Sequence, residues 1–331
     1  MDLEDGIELS LSSRGRSLGY LSRLILMLNK DLDHPVCSRF IANIINTFAI
    51  ETDTMAAPKQ PTVILFDIGG VCVKSPFQAI LDYEVKLGIP PGWVNYSISK
   101  TSPNGHWQRL ERGELVADDA FYNGFNHDLH DPGRWRDFYL REASKYPERL
   151  NKDVVPPVPN VDGRWLFDEM MRASRPMDPW MFPALEKLKA SRRYILAALS
   201  NTVLFPEDHE LYEGDFFNHP LRRIFDVFIS SAHVGIRKPD PNMYRLALKT
   251  VTEYAEGQGK SGLEAGDILF LDDIGENLRE ARAQGFGTIK VPLGRAYEAV
   301  DKLEEITGLQ LAGDHPKIAV ETKIPEPRAR L

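Results

Sequence analysis

The chain has 331 residues, of which 43% are hydrophobic and 27% charged, a composition that can bury a sizeable core and suits one core domain carrying an insertion. Its formal charge of -8 offers no basic face, which argues against nucleic acid as a partner. The two cysteines, Cys37 and Cys72, argue against a disulfide framework and are typical of a reducing compartment.

Residues 1–54 are predicted to form an amino-terminal extension. Its apolar stretches, Leu24–Leu28 and Phe40–Ile50, are too short to cross a membrane, so no stable span is expected. An acidic start is also unlike a secretory or mitochondrial leader. Met55 lies just before the first predicted strand and suits the start of a catalytic domain. We therefore expect the extension to be dispensable or to reflect an overlong gene model.

The first predicted strand is the apolar run Val63–Phe66, which ends at Asp67 and is followed by Gly69 and Gly70. Continuous β-branched and apolar residues indicate a strand buried on both faces, as in a parallel sheet. Such sheets carry their chemistry at the carboxyl ends of the strands, and glycines let the backbone approach a ligand. The pattern predicts a carboxylate nucleophile at a strand tip; an ordinary turn with a helix-capping aspartate is the alternative.

Residues 80–178 are predicted to form an inserted α-helical cap. The spacing of apolar residues predicts amphipathic helices over Leu115–Leu129 and Gly133–Lys145, and the prolines of Val154–Gly163 predict an extended connection. Aromatic residues of this segment are expected either to roof a substrate site or to fill the core of the cap: Trp93, Trp107, Phe121, Phe125 and Trp135.

Three later strands also end in polar clusters. Tyr194–Leu199 is followed by Ser200 and Asn201, whose hydroxyl, amide and backbone groups can bind phosphate oxygens. Phe225–Ser230 precedes a loop that carries the cation of Lys238. Each cluster taken alone also fits a turn or a helix cap.

Ile268–Leu271 ends in the acidic pair Asp272–Asp273. Two adjacent carboxylates repel each other unless a proton or cation lies between them, and Mg²⁺ with its preference for oxygen ligands would relieve this repulsion. A solvated loop before a helix is the alternative. The order of all the clusters along the chain favours one phosphate and metal site.

Helices alternate with these strands, at Met181–Ser191, Pro241–Tyr254 and Gly275–Gly285, and a last strand is expected at Thr288–Val291. This alternation predicts the α/β class, with a doubly wound parallel sheet. The predicted core spans residues 55–79 and 179–310, interrupted by the cap, and residues 311–331 form a carboxyl-terminal tail.

An aspartate nucleophile, a Ser-Asn pair, a lysine and an acidic pair, in this order, resemble the haloacid dehalogenase (HAD)-like hydrolase superfamily. The Asp67-Ile68-Gly69-Gly70-Val71 form and the segment Asn104–Glu114 look like the branch that contains the amino-terminal phosphatase domain of soluble epoxide hydrolase and the amino-terminal domain of acyl-CoA dehydrogenase family member 10. The resemblance covers roughly Thr62–Val300 and implies a Rossmann-like core.

The resemblance implies a role for each motif residue. Asp67 would attack phosphorus and form an aspartyl phosphate, while Lys238 would neutralise charge and contact the phosphate. Ser200 and Asn201 would bind the phosphoryl oxygens. The implied cofactor is Mg²⁺, held by a set of groups in which Asp272 has a supporting part: Asp67, the Gly69 carbonyl, Asp273 and Asp272. The implied activity is that of a magnesium-dependent phosphatase of small phosphorylated metabolites.

One position departs from the family pattern. Phosphatases of the superfamily usually carry a second aspartate two residues after the nucleophile as the general acid and base, and this chain has Gly69 there. General acid–base catalysis contributes about a hundred- to ten-thousandfold, so we expect a preference for good leaving groups, poor turnover, or a substitute group. His106 and Glu111 are the conceivable substitutes, although structural roles fit both better.

Two other functions are compatible with the motifs. A haloacid dehalogenase also uses the aspartate, but by resemblance it would have tyrosine in place of Gly69 and no acidic pair. A catalytically silent phosphate-binding or regulatory protein would keep the pocket without turnover. Retention of Asp67, Lys238 and Asp273 together argues against the silent protein.

The chain ends in Ala329-Arg330-Leu331, which resembles the Ser-Lys-Leu peroxisomal signal. This ending predicts recognition by a peroxisomal import receptor, with a cytoplasmic location as the alternative. The oligomeric state is not determined by any of these patterns.

Overall fold

The computed structural model describes residues 60–212, 214 and 219–320. The predicted extension over residues 1–54, Cys37 and the Ala329-Arg330-Leu331 ending lie outside these residues. Five parallel strands form one sheet in the order β3-β2-β1-β4-β5. Their bounds are β1 (Val63–Phe66), β2 (Ile195–Ser200), β3 (Val227–Ser230), β4 (Ile268–Asp272) and β5 (Gly287–Lys290). The predicted α/β class with a parallel sheet is confirmed.

The first strand, β1, lies at the centre of the sheet because its four residues are apolar throughout and fully buried. Val63 pairs with Ile195 on one side and with Ile268 on the other. Successive side chains point to opposite faces, so Ile64 packs in one hydrophobic cluster and Val63 in a second cluster across the sheet. Parallel pairing brings the carboxyl ends of β1, β2 and β4 to the same edge.

The helices of the described residues surround this sheet on both faces and follow it in chain order. They are α1 (Pro76–Leu87), α2 (Trp93–Lys100), α3 (His106–Glu111), α4 (Asp119–Leu129), α5 (Pro132–Lys145), α6 (Gly163–Ala173), α7 (Met181–Ser191), α8 (Ser231–Val234), α9 (Pro241–Gly257), α10 (Gly275–Ala283) and α11 (Tyr297–Thr307).

Helix α4 begins later than the sequence pattern predicts. The prediction started at Leu115, whereas the helix starts after Asp118, whose side chain accepts a hydrogen bond from the backbone N–H of Phe121 at 3.1 Å. This capping contact satisfies a free N–H of the first turn and therefore determines where the helix starts. Helix α9 extends to Gly257, three residues beyond the predicted Tyr254.

Helices α1 to α6, hereafter the helical layer, build a hydrophobic cluster of their own between β1 and α7. Most of the aromatic residues proposed as a roof are interior to this layer, with at most 2% of their surface exposed: Trp93, Phe121, Phe125 and Trp135. Trp107 is only partly buried and lines the main cavity. The boundaries predicted for a separate cap, residues 80 and 178, remain a prediction.

The part of the tail that the structure describes packs onto the sheet-bearing part of the fold. Leu311 is fully buried, the indole Nε1 of Trp180 donates to the Pro316 carbonyl at 3.0 Å, and the Val320 N–H donates to the Gly294 carbonyl at 3.0 Å. The predicted boundary at residue 311 remains a prediction. Among the described residues, none of the helices is both long and apolar enough to cross a membrane.

Candidate active site

Four predicted site residues meet at the carboxyl edge of the sheet. Asp67 directly follows β1, Ser200 ends β2, and Asp272 ends β4 with Asp273 next to it. The carboxylates of Asp67, Asp272 and Asp273 each offer one oxygen atom within 4.8 Å of the others. The sheet therefore brings together groups that are more than 200 positions apart in the sequence.

Lys238 joins this cluster from the loop between α8 and α9. Its side chain is fully buried, with Nζ 2.9 Å from Asp67 Oδ1 and 2.7 Å from Asp272 Oδ2. Burial alone would lower the pKa of Lys238, but the charges of Asp272 and Asp67 outweigh burial and raise it. The lysine is therefore held as a cation between two carboxylates.

Asn201 positions this lysine. Its Oδ1 accepts from the backbone N–H of Lys238 at 2.8 Å, and its Nδ2 donates to the Lys238 carbonyl at 3.1 Å. The amide thus pairs with the backbone of the loop on both sides, a part that the sequence did not predict. Ser200 is buried and lines the cavity beside Asn201. Phosphate binding by Ser200 and Asn201 remains a prediction.

The two aspartates of the acidic pair differ in their surroundings. Asp272 is fully buried, and both of its carboxylate oxygens accept hydrogen bonds: Oδ1 from the Ile274 N–H at 2.7 Å, and each oxygen from Asn277 Nδ2 at 3.0 Å. With Lys238 also bound, Asp272 is engaged by the protein, which fits the predicted supporting part. Sequence analysis missed Asn277; its only signal is a polar residue in the first turn after the pair.

Asp273 has the opposite character, because its Oδ1 is buried without a hydrogen-bond partner among the described residues. Burial first, and then the charges of Asp67 and Asp272, raise its pKa well above the usual value. Burial likewise raises the pKa of Asp67 to about 7, against the opposing effect of Lys238. Buried carboxylates this close together are costly when ionised, and a cation would relieve that cost.

The residues present therefore fit Mg²⁺. Oxygen ligands suit this ion, and the unpartnered Asp273 Oδ1 and the Asp67 carboxylate both line the same cavity. Gly70 allows this arrangement, since its φ is +75° and a Cβ atom there would overlap Asp273 Oδ2 and lie 2.9 Å from its Cγ. Metal binding by the Gly69 carbonyl remains a prediction.

The cavity has a volume of about 1030 Å³ and is bounded by both the strand tips and the helical layer. Asp67, Ser200, Lys238 and Asp273 are among its lining residues. Most of the remaining wall is apolar, and its larger side chains include Ile68, Phe77, Ile80, Trp107, Met170 and Phe205. The arrangement joins a small charged site to a large apolar chamber.

The position of the missing acid is open space. A Cβ atom at Gly69 would meet only Pro76 Cδ, at 3.8 Å, and Gly69 lines the cavity. Of the two substitutes considered, the His106 ring pairs with Asp128 Oδ2 at 3.0 Å and is not among the cavity-lining residues. Glu111 does line the cavity, and its carboxylate pairs with Arg237.

Cys72 lies directly behind the nucleophile. Its Sγ donates to the Asp67 carbonyl oxygen at 3.1 Å, and burial raises the pKa of the thiol well above its usual value. A neutral, buried thiol is a poor nucleophile. Cys72 therefore contributes packing and one hydrogen bond behind Asp67.

Comparison with known proteins gives relatives for most of this chain, although no family model matches it. Acyl-CoA dehydrogenase family member 10 of Mus musculus is 28% identical over 258 residues, which are 78% of this chain and 20% of that protein. Bifunctional epoxide hydrolase 2 of Rattus norvegicus is 36% identical over 257 residues, which are 75% of this chain and 39% of that protein. The chain thus spans only a minor part of either relative.

Among solved structures, a HAD family enzyme of Bacteroides thetaiotaomicron, in complex with magnesium and inorganic phosphate, matches with a TM-score of 0.41 and 14% identity, over 72% of this chain and 98% of that one. The sequence relatives agree with the order of motifs along the chain and with the cluster at the sheet edge. This chain belongs to the haloacid dehalogenase-like hydrolase superfamily.

Proposed function

We propose that this protein is a magnesium-dependent phosphatase that works through an aspartyl-phosphate intermediate on Asp67. The observation that carries the proposal is the buried contact of Asp67 with Lys238, 2.9 Å apart, beside the unpartnered Oδ1 of Asp273. A nucleophile, a fixed cation and a free ligand atom for a metal are the elements that phosphoryl transfer requires.

The hydrogen bonds of Asp67 orient it for attack. Its Oδ1 accepts from the Ile68 N–H at 2.7 Å and from Lys238 Nζ at 2.9 Å, whereas Oδ2 has no hydrogen-bond partner among the described residues. Oδ2 is therefore the oxygen that attacks phosphorus. Mg²⁺, when bound by Asp67 and Asp273, would supply positive charge to the phosphoryl oxygens. Lys238 stabilises charge on the same group, and its position is maintained by Asn201 and Asp272.

The preferred substrates are phosphate esters whose leaving group needs little protonation. Gly69 has no side chain to donate a proton, so simple alkyl phosphates lose an acid that contributes about a hundred- to ten-thousandfold elsewhere. Aryl phosphates, acyl phosphates and sugar 1-phosphates have better leaving groups. The organic part of the substrate would lie in the cavity of about 1030 Å³, whose mostly apolar wall favours a hydrophobic body.

The test is release of phosphate from aryl, sugar and lipid phosphates by the full chain, with and without Mg²⁺. Asp67→Asn, which keeps the size of the nucleophile, is expected to lower turnover at least a thousandfold. Asp119→Asn is the matched control, since Asp119 is exposed and lies on the outside of α4.

Each result of this test separates the candidate functions. Release that requires both Mg²⁺ and Asp67 supports the phosphatase. Binding of phosphate without turnover would instead identify a silent phosphate-binding protein. Halide release from 2-haloacids that requires Asp67 but no metal would identify a dehalogenase.

A further inference from the structure

An arginine–glutamate pair lines the active-site cavity and has no part in the phosphatase proposal so far. Glu111 ends α3 of the helical layer, and Arg237 immediately precedes Lys238 in the loop after α8. Glu111 Oε2 lies 2.5 Å from Arg237 Nε, and both side chains line the cavity that contains Asp67 and Gly69. The pair therefore joins the helical layer to the loop that supplies the catalytic lysine.

The contact is fixed on both sides by the backbone. The Glu111 carbonyl accepts a hydrogen bond from Ser231 Oγ at 2.5 Å, and Ser231 is fully buried. Gly113 follows with a φ of +68°, where a Cβ atom would overlap the Ala232 carbonyl oxygen and lie 3.0 Å from its carbon. Such close approach leaves Glu111 little freedom, because only glycine fits at the next turn.

Glu111 engages only part of the guanidinium group. Arg237 Nε is its donor, while the terminal nitrogens Nη1 and Nη2 have no hydrogen-bond partner among the described residues. Arginine keeps its charge at any ordinary pH and carries four N–H groups on these two nitrogens. A fixed cation with free donors, at the wall of a cavity that holds the nucleophile, is arranged to contact an anionic oxygen of the substrate.

We propose that Arg237 is a catalytic residue that stabilises the leaving-group oxygen, and that Glu111 is the residue that positions it. This inference rests on the proposed phosphatase function. The observation that favours the leaving group is the open space at Gly69, where the usual proton donor is missing. Stabilisation of negative charge by a fixed donor is an alternative to protonation.

The step balances without any further reactant. A bond forms between Asp67 Oδ2 and phosphorus while the bond from phosphorus to the ester oxygen breaks, and the electron pair of that bond stays on the departing oxygen. Arg237 donates hydrogen bonds to this oxygen and keeps its protons. Water supplies the proton that turns the product into an alcohol.

The test compares an aryl with an alkyl phosphate, because stabilisation of the leaving oxygen matters most when that oxygen is strongly basic. For Arg237→Gln we expect kcat/KM to fall about a hundredfold on an alkyl phosphate, in line with the loss of one oxyanion donor, and less than tenfold on p-nitrophenyl phosphate. Glu111→Gln should shift the ratio of the two rates in the same direction by a smaller factor. Arg237→Lys, which keeps the charge but not the fork, should recover part of the alkyl rate.

The control is Arg109→Gln, which removes an arginine of the same short helix that pairs with Glu114 outside the cavity. It should leave both rates unchanged, and melting temperatures of all variants establish that they fold. Equal losses on the two substrates in Arg237→Gln would overturn the inference alone. Absence of Asp67-dependent release from the parent protein would overturn the proposed function as well, so the two failures are distinguishable.

Discussion

The sharpest single perturbation is Gly70→Ala, because it adds one methyl group at the point where the backbone passes Asp273. Gly70 has a φ of +75°, and the new Cβ atom would overlap Asp273 Oδ2 and lie 2.9 Å from Cγ. The neighbouring Gly69 offers a matched control. A Cβ atom there meets only Pro76 Cδ, at 3.8 Å, and no positive φ is required.

Two costs add for Gly70→Ala. A left-handed backbone costs an alanine about 1–2 kcal/mol. Displacement of Asp273 would also remove the metal, whose stabilising effect at a hundredfold excess over Kd is about 2.7 kcal/mol. Since 1 kcal/mol shifts the melting temperature of a domain of this size by about 2–4 °C, the variant should melt about 2–8 °C below the parent without metal. In Mg²⁺ the difference should roughly double.

The assay is thermal unfolding of the full chain with and without Mg²⁺, together with phosphate release. Gly70→Ala should lose both the Mg²⁺-dependent rise in melting temperature and the phosphate release, whereas Gly69→Ala should keep both. If Gly70→Ala still responds to Mg²⁺ as the parent does, Asp273 is not a metal ligand and the site geometry has been misread.

Three further predictions concern the same site. Gly69→Asp places a carboxyl group in open space at the position of the missing acid, and should raise the alkyl phosphate rate at least tenfold while changing the aryl rate little; an unchanged ratio would contradict the assignment of Gly69 as the defect. Asn277→Ala removes the amide that binds both oxygens of buried Asp272, and should lower the free energy of unfolding by about 1–3 kcal/mol in chemical denaturation, whereas the exposed Asn242→Ala should cost less than about 0.5 kcal/mol. Because the pKa of Asp67 is raised to about 7, the metal-free folded state binds more protons than the unfolded chain from about pH 4 to 7, so its stability should fall as pH rises through that range; Asp67→Asn should remove roughly 4 kcal/mol of this fall, and a pH profile identical to that of the parent would refute the raised pKa.

Much of the fold could be predicted from the chain itself, because its strands are short, apolar and nearly uninterrupted. Ile268–Leu271 was predicted as a strand and lies within β4, which ends at Asp272. Residues with a local signal were also predicted well, such as the strand ahead of Asp67. Element ends depended on capping contacts, and α4 therefore starts at Asp119 and not at Leu115.

The sequence by itself determined which chemical groups stand at strand ends: Asp67, Ser200 and the acidic pair follow apolar runs whose burial needs no knowledge of their neighbours. Only the tertiary structure decided what each group does. Asp272 and Asp273 are adjacent and chemically identical, yet one is saturated by Lys238 and Asn277 while the other keeps a buried oxygen without a partner among the described residues. Successive residues at a strand end point in different directions, and what each meets depends on segments distant in the sequence. The same reason separates Asn201, which positions the Lys238 loop, from the phosphate ligand that its sequence motif suggests.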